Sequence, residues 1–483
     1  MEPLFPLAIE LPARGSRLRL RSLHQQLRAA ILDGRLQSGL RLPSTRALAQ
    51  AHAVSRNTAV AAYDLLLGEG YLTSRQGSGT VVAGPPPRPS LRPGSMVRSG
   101  ADGRLNPQWR HVAGAQVTGA SPRLAFQLGV PDLANFPLTA WQRLAGRVAR
   151  RQYADPRLAA DAQGLYALRE AIAQHVSYAR AVACGANDIV VTSGAQQAFD
   201  LLAKVLSTGA GATVALENPG YPPLRAAFRA NGARIVAVPV DEEGLIVERL
   251  PERTRVVCVT PSHQFPLGSV LSARRRIALL DFCRRRGCVV VEDDYDGEFR
   301  FSQRPLDALQ TLDQSQCVFY VGTFSKCLSP DLRLAYIAAP PWARAGLVAA
   351  KGVADGWCGT GPQATLALLM KEGHLRRHIR KMQRVYAERR RLLLQGLHGD
   401  LGRWLAPLPS LAGLHVTAQL RHTRSEAALV ERAREAGVGV HALHPFYHGA
   451  HAMRGLVFGY GNISAAAIPE GLEILRKVLL NQC

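Results

Sequence analysis

The stretch VGTFSKCLSPDLRL, residues 321–334, places a lysine just after an apolar run, inside a small hydroxylated turn. Lysine is scarce in this chain: of the 59 basic residues, six are lysines and 53 are arginines. Because arginine serves well as a surface cation, a lysine here indicates a need for an amine that can lose its proton. Lys326 is therefore a candidate nucleophile that forms an imine with an aldehyde.

The sequence on both sides of this stretch alternates apolar runs with helical patterns. Examples are DIVVTSGAQQAFDLLAKVL (188–206), RVVCVTPSHQFPLG (255–268) and GCVVVEDDYDGEF (287–299). Fully apolar strands interleaved with helices predict a mainly parallel sheet that helices cover on both faces. In such α/β folds ligands bind beyond the carboxyl ends of the strands, and each run carries its polar residues at that end.

Three side chains at these strand ends match the needs of a pyridine aldehyde cofactor. Asp293 would place a carboxylate against the ring nitrogen and keep that nitrogen protonated. Tyr295 would offer its phenol to the ring hydroxyl, and Tyr221 would lie flat over the ring. Each residue alone has a structural alternative, namely an acidic turn or a packed aromatic ring. Their occurrence at successive strand ends favours the binding site.

Two turns are predicted to hold a phosphate group. TSGAQQ (192–197) opens a helix directly after a strand, so its first backbone N–H groups point toward an anion. Hydroxyl and guanidinium groups of the lysine segment would complete the cradle. The predicted phosphate contacts are Gly194, Ala195, Gln196, Thr323, Ser325 and Arg333.

The first 83 residues predict short helices followed by a hairpin, an α+β arrangement. Ser44 and Ser55 are the expected N-caps of two of the helices. LTSRQGSGTVVA (72–83) is expected to form two strands around Gly77 and Gly79. The residues predicted to face inward are Leu23, Leu27, Ile31, Leu48, Ala51, Val60, Tyr63 and Leu67.

This N-terminal part also has the features of a DNA-binding module. Residues 1–84 contain ten Arg, no Lys and five acidic residues. The first turn of the helix that starts at Ser55 is the end that usually meets base edges in a major groove. The predicted DNA-contacting residues are Arg46, Ser55, Arg56, Asn57, Thr58, Gln76 and Gly77.

Residues 84–107 hold six Pro and four Gly with little apolar content, which predicts an extended interdomain linker. We therefore expect a DNA-binding domain at 15–83, a linker at 84–122 and a large domain at 123–483.

Composition narrows the class of protein. The net charge of +23 favours a polyanionic partner, although an arginine-rich composition of a GC-rich genome explains it equally. The eight Cys show no CxxC spacing, so reduced thiols of a cytoplasmic protein are expected, without disulfides or a metal site. No apolar run is long enough to span a membrane, and the first residues lack the pattern of a signal peptide.

Residues 123–480 resemble the fold type I, pyridoxal-phosphate-dependent aminotransferases. GTFSKCLSPDLRLAY (322–336) is similar to the Schiff-base segment of that family, and EDDYDGEFR (292–300) to its pyridinium-binding segment. The resemblance implies pyridoxal 5′-phosphate as cofactor, carried as an aldimine on Lys326, with Asp293 and Tyr295 as ring partners. One departure is that the usual Asn-Pro-Thr-Gly turn reads FPLG at 265–268. TPSHQFPLG instead resembles the MocR-type regulators.

Residues 15–83 resemble the GntR-type winged helix-turn-helix. The matching segments are GLRLPSTRALA (39–49), VSRNTAVAAYDLLLGEGYL (54–72) and RQGSGTVV (75–82).

Together the two resemblances imply a homodimeric, cytoplasmic transcription regulator of the MocR type. It would bind double-stranded operator DNA and sense an amino compound or pyridoxal phosphate through the aldimine on Lys326. A working aminotransferase with an attached DNA-binding module stays open, because Lys326 and Asp293 are both present. A transaminase also needs a carboxylate clamp, for which Arg454, the predicted effector-binding residue, is the candidate. A regulator that has lost the cofactor is a third hypothesis.

Overall fold

The computed structural model describes residues 7, 9–13, 16, 18–75, 79–83, 122–152, 161–207, 211–301, 307–421, 425–449 and 453–481. The chain divides into two compact units, residues 1–100 and 101–483. The predicted linker at 84–122 lies almost entirely outside the described residues, as do Gln76 and Gly77 of the predicted hairpin.

Among its described residues, the N-terminal unit contains three helices and one hairpin. The elements are α1 (Arg19–Leu32), α2 (Thr45–Ala51), α3 (Arg56–Gly68), β1 (Leu72–Arg75) and β2 (Gly79–Val82). Ser44 and Ser55 cap α2 and α3, because their side chains accept hydrogen bonds from backbone N–H groups of the first turn. The strands pair antiparallel, with Leu72 opposite Val82. The predicted helices, caps and hairpin are thus confirmed.

Most residues predicted for the core of this unit are buried, and the prediction is wrong for two of them. The confirmed residues are Leu23, Leu27, Ile31, Leu48 and Tyr63, all buried, while Leu67 is half-buried. Ala51 is exposed because α2 ends there, and Ala49 packs inward instead. Val60 is 36% exposed, because α3 turns Ala59 and Ala62 toward the core and the next position lies about 100° further around the helix.

The large unit contains ten helices and fourteen strands among its described residues. The helices are α4 (Leu138–Gln152), α5 (Tyr166–Arg180), α6 (Ala195–Leu206), α7 (Pro222–Ala230), α8 (Ala273–Arg286), α9 (Arg344–Asp355), α10 (Thr360–Lys371), α11 (His374–His398), α12 (Glu426–Glu435) and α13 (Ala467–Leu480). The strands are β3 (Leu124–Ala125), β4 (Ile189–Thr192), β5 (Thr213–Asn218), β6 (Arg234–Asp241), β7 (Gly244–Leu245), β8 (Thr254–Val259), β9 (Val289–Asp294), β10 (Val318–Thr323), β11 (Ala335–Ala338), β12 (Leu405–Pro407), β13 (His415–Leu420), β14 (Val438–Gly439), β15 (His441–Ala442) and β16 (Gly455–Gly459).

The central sheet has eight strands in the order β4-β11-β10-β9-β8-β5-β6-β7. The pairs from β10 through β9, β8 and β5 to β6 are parallel, and β11 runs antiparallel to both of its neighbours. Every residue of β4, β10 and β11 is buried, as expected for strands that helices cover on both faces. The predicted α/β fold with a mainly parallel sheet is confirmed.

A second sheet is antiparallel and has the order β12-β13-β16-β15. Helices α11 and α12 contact this sheet, and α13 packs against both helices. The segment after residue 122 reaches this part of the molecule, because β3 pairs with β14 and the Gly459 N–H donates to the Phe126 carbonyl. Among the helices of the described ranges, none is long and apolar enough to cross a membrane.

Candidate functional site: a cofactor pocket and a DNA-facing helix

The predicted pocket residues meet because of the strand register. β9 and β10 are parallel neighbours, with Asp293 opposite Val321. β11 joins the remaining turn, since Ala335 lies opposite both Thr192 of β4 and Thr323 of β10. The turns that follow β4, β9 and β10 therefore lie at one edge of the sheet.

Lys326 lies at the inner wall of this edge. Its Nζ donates a hydrogen bond of 2.7 Å to the Gly129 carbonyl. Burial lowers the pKa of Lys326, and the carboxylates of Asp296 and Asp293 partly oppose that shift. Residue 129 has a φ of +74°, a conformation that favours glycine, and a Cβ atom there would lie 2.8 Å from Nζ and displace it. The arrangement provides an amine that loses its proton more readily than a surface lysine.

Asp293 is buried, and no hydrogen bond to its carboxylate is found among the described residues. Burial is the main cause that raises the pKa of Asp293 to about 8, and the negative charges of Asp294 and Asp296 add to it. The positive charge of Lys326 acts in the opposite direction. A buried carboxylate without a donor is unfavourable. A protonated ring nitrogen would supply the missing donor. This incomplete carboxylate fits a pyridine cofactor.

Tyr295 is held by a histidine that the sequence analysis missed. Its phenol lies 3.0 Å from His263 Nδ1 and donates to the His263 carbonyl over 3.1 Å. His263 Nδ1 lies 2.8 Å from Asp296 Oδ2, and its Nε2 lies 3.0 Å from Ser410 Oγ. Gly413 leaves room for the His263 ring, because a Cβ atom at this position would lie 2.2 Å from His263 Cε1. Both ring nitrogens are thus engaged by protein groups.

An aromatic cluster occupies the position of the missing asparagine. The Phe265 ring makes edge contacts with Tyr221, Tyr295 and His415 at centroid distances of 5.7, 5.9 and 5.2 Å. The His415 ring also lies 4.8 Å from His263. The support of Tyr295 therefore comes from His263 and from aromatic packing.

The turn after β4 is the predicted anion cradle. Gly194 precedes α6 with a φ of +86°, and a Cβ atom there would lie 2.8 Å from the guanidinium carbon of Arg333. Ala195 and Gln196 are the first two residues of α6, so the helix has no acceptor for their N–H groups. Arg333 donates to the Ser193 carbonyl over 2.8 Å. The geometry brings Arg333 against this turn, and the close approach requires glycine.

The hydroxyl groups of the lysine turn contact each other. Thr323 Oγ1 and Ser325 Oγ are 3.0 Å apart, and the Ser325 N–H donates to Thr323 Oγ1.

The Gln196 side chain points toward α7, where it donates to the Pro223 carbonyl. Only the backbone of Gln196 is therefore available at the turn.

Tyr221 stands at the N-cap of α7 and is 39% exposed. Burial, followed by Asp293, raises the pKa of Tyr221 to about 12, and Arg333 lowers it. Tyr221 thus lies within electrostatic reach of both predicted cofactor partners. Its stacking on a ring stays a prediction.

Arg454 lies apart from this group. It is exposed immediately before β16, and its side chain has no partner among the described residues. Its carbonyl accepts from the Leu420 N–H. No contact joins Arg454 to the Lys326 pocket, and its role in effector binding stays a prediction.

In the N-terminal unit, Arg46 of α2 and Arg56 and Asn57 of α3 are exposed and have no hydrogen-bond partner within the described ranges. Ser55 Oγ accepts from the Thr58 N–H over 3.1 Å and lies 2.7 Å from Thr58 Oγ1. Ser55 and Thr58 therefore stabilise the start of α3.

Arg41, which no sequence pattern singled out, is a further basic group beside the hairpin. A Cβ atom at Gly79 would lie 3.2 Å from Arg41 Nε. Arg41 also pairs with Val81 through its backbone.

Comparison with known protein families finds two matches along the chain. The family described as aminotransferase class I and II matches residues 129–470. The family described as bacterial regulatory proteins, gntR family, matches residues 20–82.

Three curated regulators are similar over most of this chain. The probable rhizopine catabolism regulatory protein MocR of Rhizobium meliloti is 35% identical, over 95% of this chain and 93% of that protein. The pyridoxine biosynthesis transcriptional regulator PdxR of Corynebacterium glutamicum is 35% identical over 91% of each chain. The transcriptional regulator TauR of Rhodobacter capsulatus is 33% identical over 95% of this chain and 96% of that protein.

Solved structures of aminotransferases match the large unit. LysN of Thermus thermophilus, an alpha-aminoadipate aminotransferase complexed with N-(5′-phosphopyridoxyl)-L-leucine, has a TM-score of 0.68 and 31% identity over 74% of this chain and 92% of its own. The kynurenine aminotransferase of Pyrococcus horikoshii, in complex with PMP, has a TM-score of 0.69 and 26% identity over 75% of this chain and 92% of its own. These matches confirm the fold type I architecture.

Proposed function

We propose that this chain, which belongs to the MocR-type transcription regulators, binds operator DNA through residues 15–83 and pyridoxal 5′-phosphate through the Lys326 pocket of residues 123–483. A small amino compound, or the cofactor itself, would be the effector. A homodimer would suit two half-sites on the DNA.

The observation that carries the proposal is the pairing of Lys326 with Asp293. A buried carboxylate without a donor and a lysine whose pKa burial lowers lie at the same sheet edge. Neither arrangement stabilises the protein by itself, since each leaves an ionisable group poorly compensated. Both become favourable when a pyridine aldehyde lies between them.

When bound, pyridoxal phosphate supplies an aldehyde that condenses with amines and a ring that accepts electron density. The protein's own groups set the conditions for that chemistry. Asp293 would hold a proton at the ring nitrogen, and Tyr295, fixed by His263, would donate to the ring hydroxyl. Arg333 and the first N–H groups of α6 would bind the phosphate.

Lys326 also offers a route by which an effector is sensed. Its Nζ contacts Gly129, seven residues after the start of the described segment that follows the linker. Lys326 would hold the cofactor through Nζ, and an effector amine that competes for the cofactor would leave Nζ free to donate to the Gly129 carbonyl as it does here. An effector can shift the protein only if it binds one arrangement better than the other.

Two measurements test the proposal: the absorbance of the purified protein and a gel-shift assay with DNA. The purified protein with pyridoxal phosphate should develop the absorbance band of a lysine-bound cofactor, and Lys326→Ala should lack it. A shift assay on the DNA upstream of its own gene should respond to the cofactor or to candidate amines in the native protein only. An unchanged band in Lys326→Ala, with an unchanged response on DNA, would refute the proposal.

A working aminotransferase is the second candidate, favoured by the presence of both Lys326 and Asp293. Arg454, the candidate carboxylate clamp of that reaction, is exposed and makes no hydrogen bond or ion pair through its side chain among the described residues. Multiple turnovers with amino-acid and keto-acid pairs would support the enzyme, whereas a single stalled turnover would support the regulator.

A further inference from the structure

A second cavity lies between α5, the loop after β9 and α11. It has a volume of about 290 Å³, and four arginines line it: Arg180, Arg300, Arg376 and Arg380. The cavity beside Tyr221 holds only about 20 Å³. The arginine cavity is therefore near the lower end of the range of small-molecule sites.

The charge in this cavity is not balanced. Arg180 donates to the Asp294 carboxylate over 2.6 Å, and Glu298 lies 3.6 Å from His175 Nε2. Within the part of the chain that the structure describes, the other three guanidinium groups have no carboxylate partner. Four guanidinium groups thus face two carboxylates, which leaves the cavity positive.

Arg300 is the member built most firmly into the wall. It is half-buried, and its Nη1 donates to the Ser262 carbonyl over 3.0 Å. Its Nε is buried and has no hydrogen-bond partner among the described atoms. A buried guanidinium N–H without an acceptor leaves Arg300 poorly compensated within the wall.

The rim is held in place by two contacts. The Arg376 guanidinium lies over the Tyr178 ring, 5.7 Å from its centroid. Gln383 of α11 donates to the Glu298 carbonyl over 2.7 Å and so ties the helix to the loop. Guanidinium groups that are held before binding lose less freedom when a ligand arrives.

We propose that this cavity binds a small molecule that carries a phosphate group. Guanidinium forks match the geometry of phosphate oxygens and bind them through paired hydrogen bonds. A volume of about 290 Å³ suits a compact phosphate-bearing molecule. The site is separate from the phosphate cradle at Gly194 and does not depend on the proposed function.

The cavity and the cofactor pocket share a wall. Ser262 receives a hydrogen bond from Arg180 on its Oγ and from Arg300 on its carbonyl. Arg180 also holds Asp294, the residue after Asp293. A ligand that moves Arg300 therefore acts on Ser262, the residue before His263, which contacts Tyr295.

The test is calorimetric titration of the cofactor-loaded full-length protein with glycerol 3-phosphate and, in parallel, inorganic phosphate. The cavity variants are Arg300→Gln and Arg376→Gln. Arg376 is included because its side chain is exposed, so its replacement disturbs folding less than that of half-buried Arg300. Arg384→Gln is the matched control, since Arg384 is an exposed arginine of α11 that does not line the cavity. Thermal melting checks that each variant is folded.

We expect saturable binding of one glycerol 3-phosphate per chain, weakened roughly tenfold or more in each cavity variant and unchanged in Arg384→Gln. Absence of saturable binding to the native protein overturns the proposal, as does an equal loss in Arg384→Gln. Binding only to cofactor-free protein would place the probe in the Gly194 cradle and overturn it. So would cavity variants that lose affinity for operator DNA but keep it for glycerol 3-phosphate.

Discussion

Lys326 Nζ donates a 2.7 Å hydrogen bond to the carbonyl of Gly129, a residue 197 positions earlier in the chain. Lys326 follows β10 at the edge of the central sheet, whereas the segment of Gly129 continues from β3 toward the second sheet. The contact therefore joins the reactive amine to the segment that follows the linker.

Gly129→Ala should weaken binding of pyridoxal phosphate, because the new Cβ would lie 2.8 Å from Lys326 Nζ and displace it. The left-handed backbone itself costs about 1 kcal/mol for alanine. Gly437→Ala is the matched control, since Gly437 has a φ of +88° and open space around it. Absorbance titration with the cofactor measures the effect. Equal affinity in the two variants would exclude a specific role for Gly129.

Asp293 should make the stability of the cofactor-free protein depend on pH. Its pKa is raised to about 8 in the folded state, so between about pH 4 and 8 the folded protein binds more protons at this site than the unfolded chain. Protonated Asp293 therefore favours the folded protein at low pH. This contribution to the free energy of unfolding is lost as the pH rises through 8, by at most about 1.4 kcal/mol per pH unit.

Asp293→Asn should remove this dependence. Urea unfolding of both cofactor-free proteins at pH 5 and pH 8 measures the difference, and comparison of the two proteins cancels the contributions of the other buried carboxylates. Parallel pH profiles for native protein and variant would show that Asp293 titrates normally.

His263→Ala should reduce cofactor affinity roughly tenfold, as the loss of a supporting hydrogen bond does at comparable sites. It should also lower stability by about 1–3 kcal/mol, because buried Asp296 would lose its partner. Ser410→Ala removes the contact on the other ring nitrogen and leaves the Tyr295 contact in place. The expected result is lost stability in both variants and lost cofactor affinity in His263→Ala alone. Absorbance titration and thermal melting measure the two effects.

The two serine caps allow a test of the DNA-facing helix. Ser44→Ala and Ser55→Ala should each cost about 1 kcal/mol of stability, because both remove an N-cap. If Ser55 only stabilises α3, the two variants will reduce operator affinity to the same extent. A larger loss in Ser55→Ala would indicate direct contact with DNA. Gel shifts at equal folded fractions make the comparison.

Asn57 and Arg46 should differ in how they affect DNA binding. Asn57→Ala should relax sequence preference, since a base contact contributes about 1–3 kcal/mol of discrimination. Arg46→Gln should weaken all sequences alike and reduce the salt slope by about 1. Arg35→Gln is a control, because Arg35 already pairs with Asp33. Titrations at several salt concentrations on operator and random DNA separate these effects, and identical behaviour of Asn57→Ala and Arg46→Gln would contradict the assignment.

Much of the fold could be predicted from the sequence because its signals are local. The apolar runs at β4, β9 and β10, the caps at Ser44 and Ser55, and the hairpin all follow from the identities of neighbouring residues. The errors at Ala51 and Val60 are also local. One residue of difference in helix phase or helix end turns a side chain from the core to solvent.

The sequence by itself determined which residues stand at the carboxyl ends of the strands, Lys326 and Asp293 among them, because strand periodicity and turn chemistry act over a few residues. Only the tertiary structure decided which distant groups meet them: the Gly129 carbonyl, the His263–Asp296–Ser410 contacts and the arginine cavity. These pairings join segments up to 197 positions apart, and their partners are fixed by how sheets and helices pack, which no local pattern encodes.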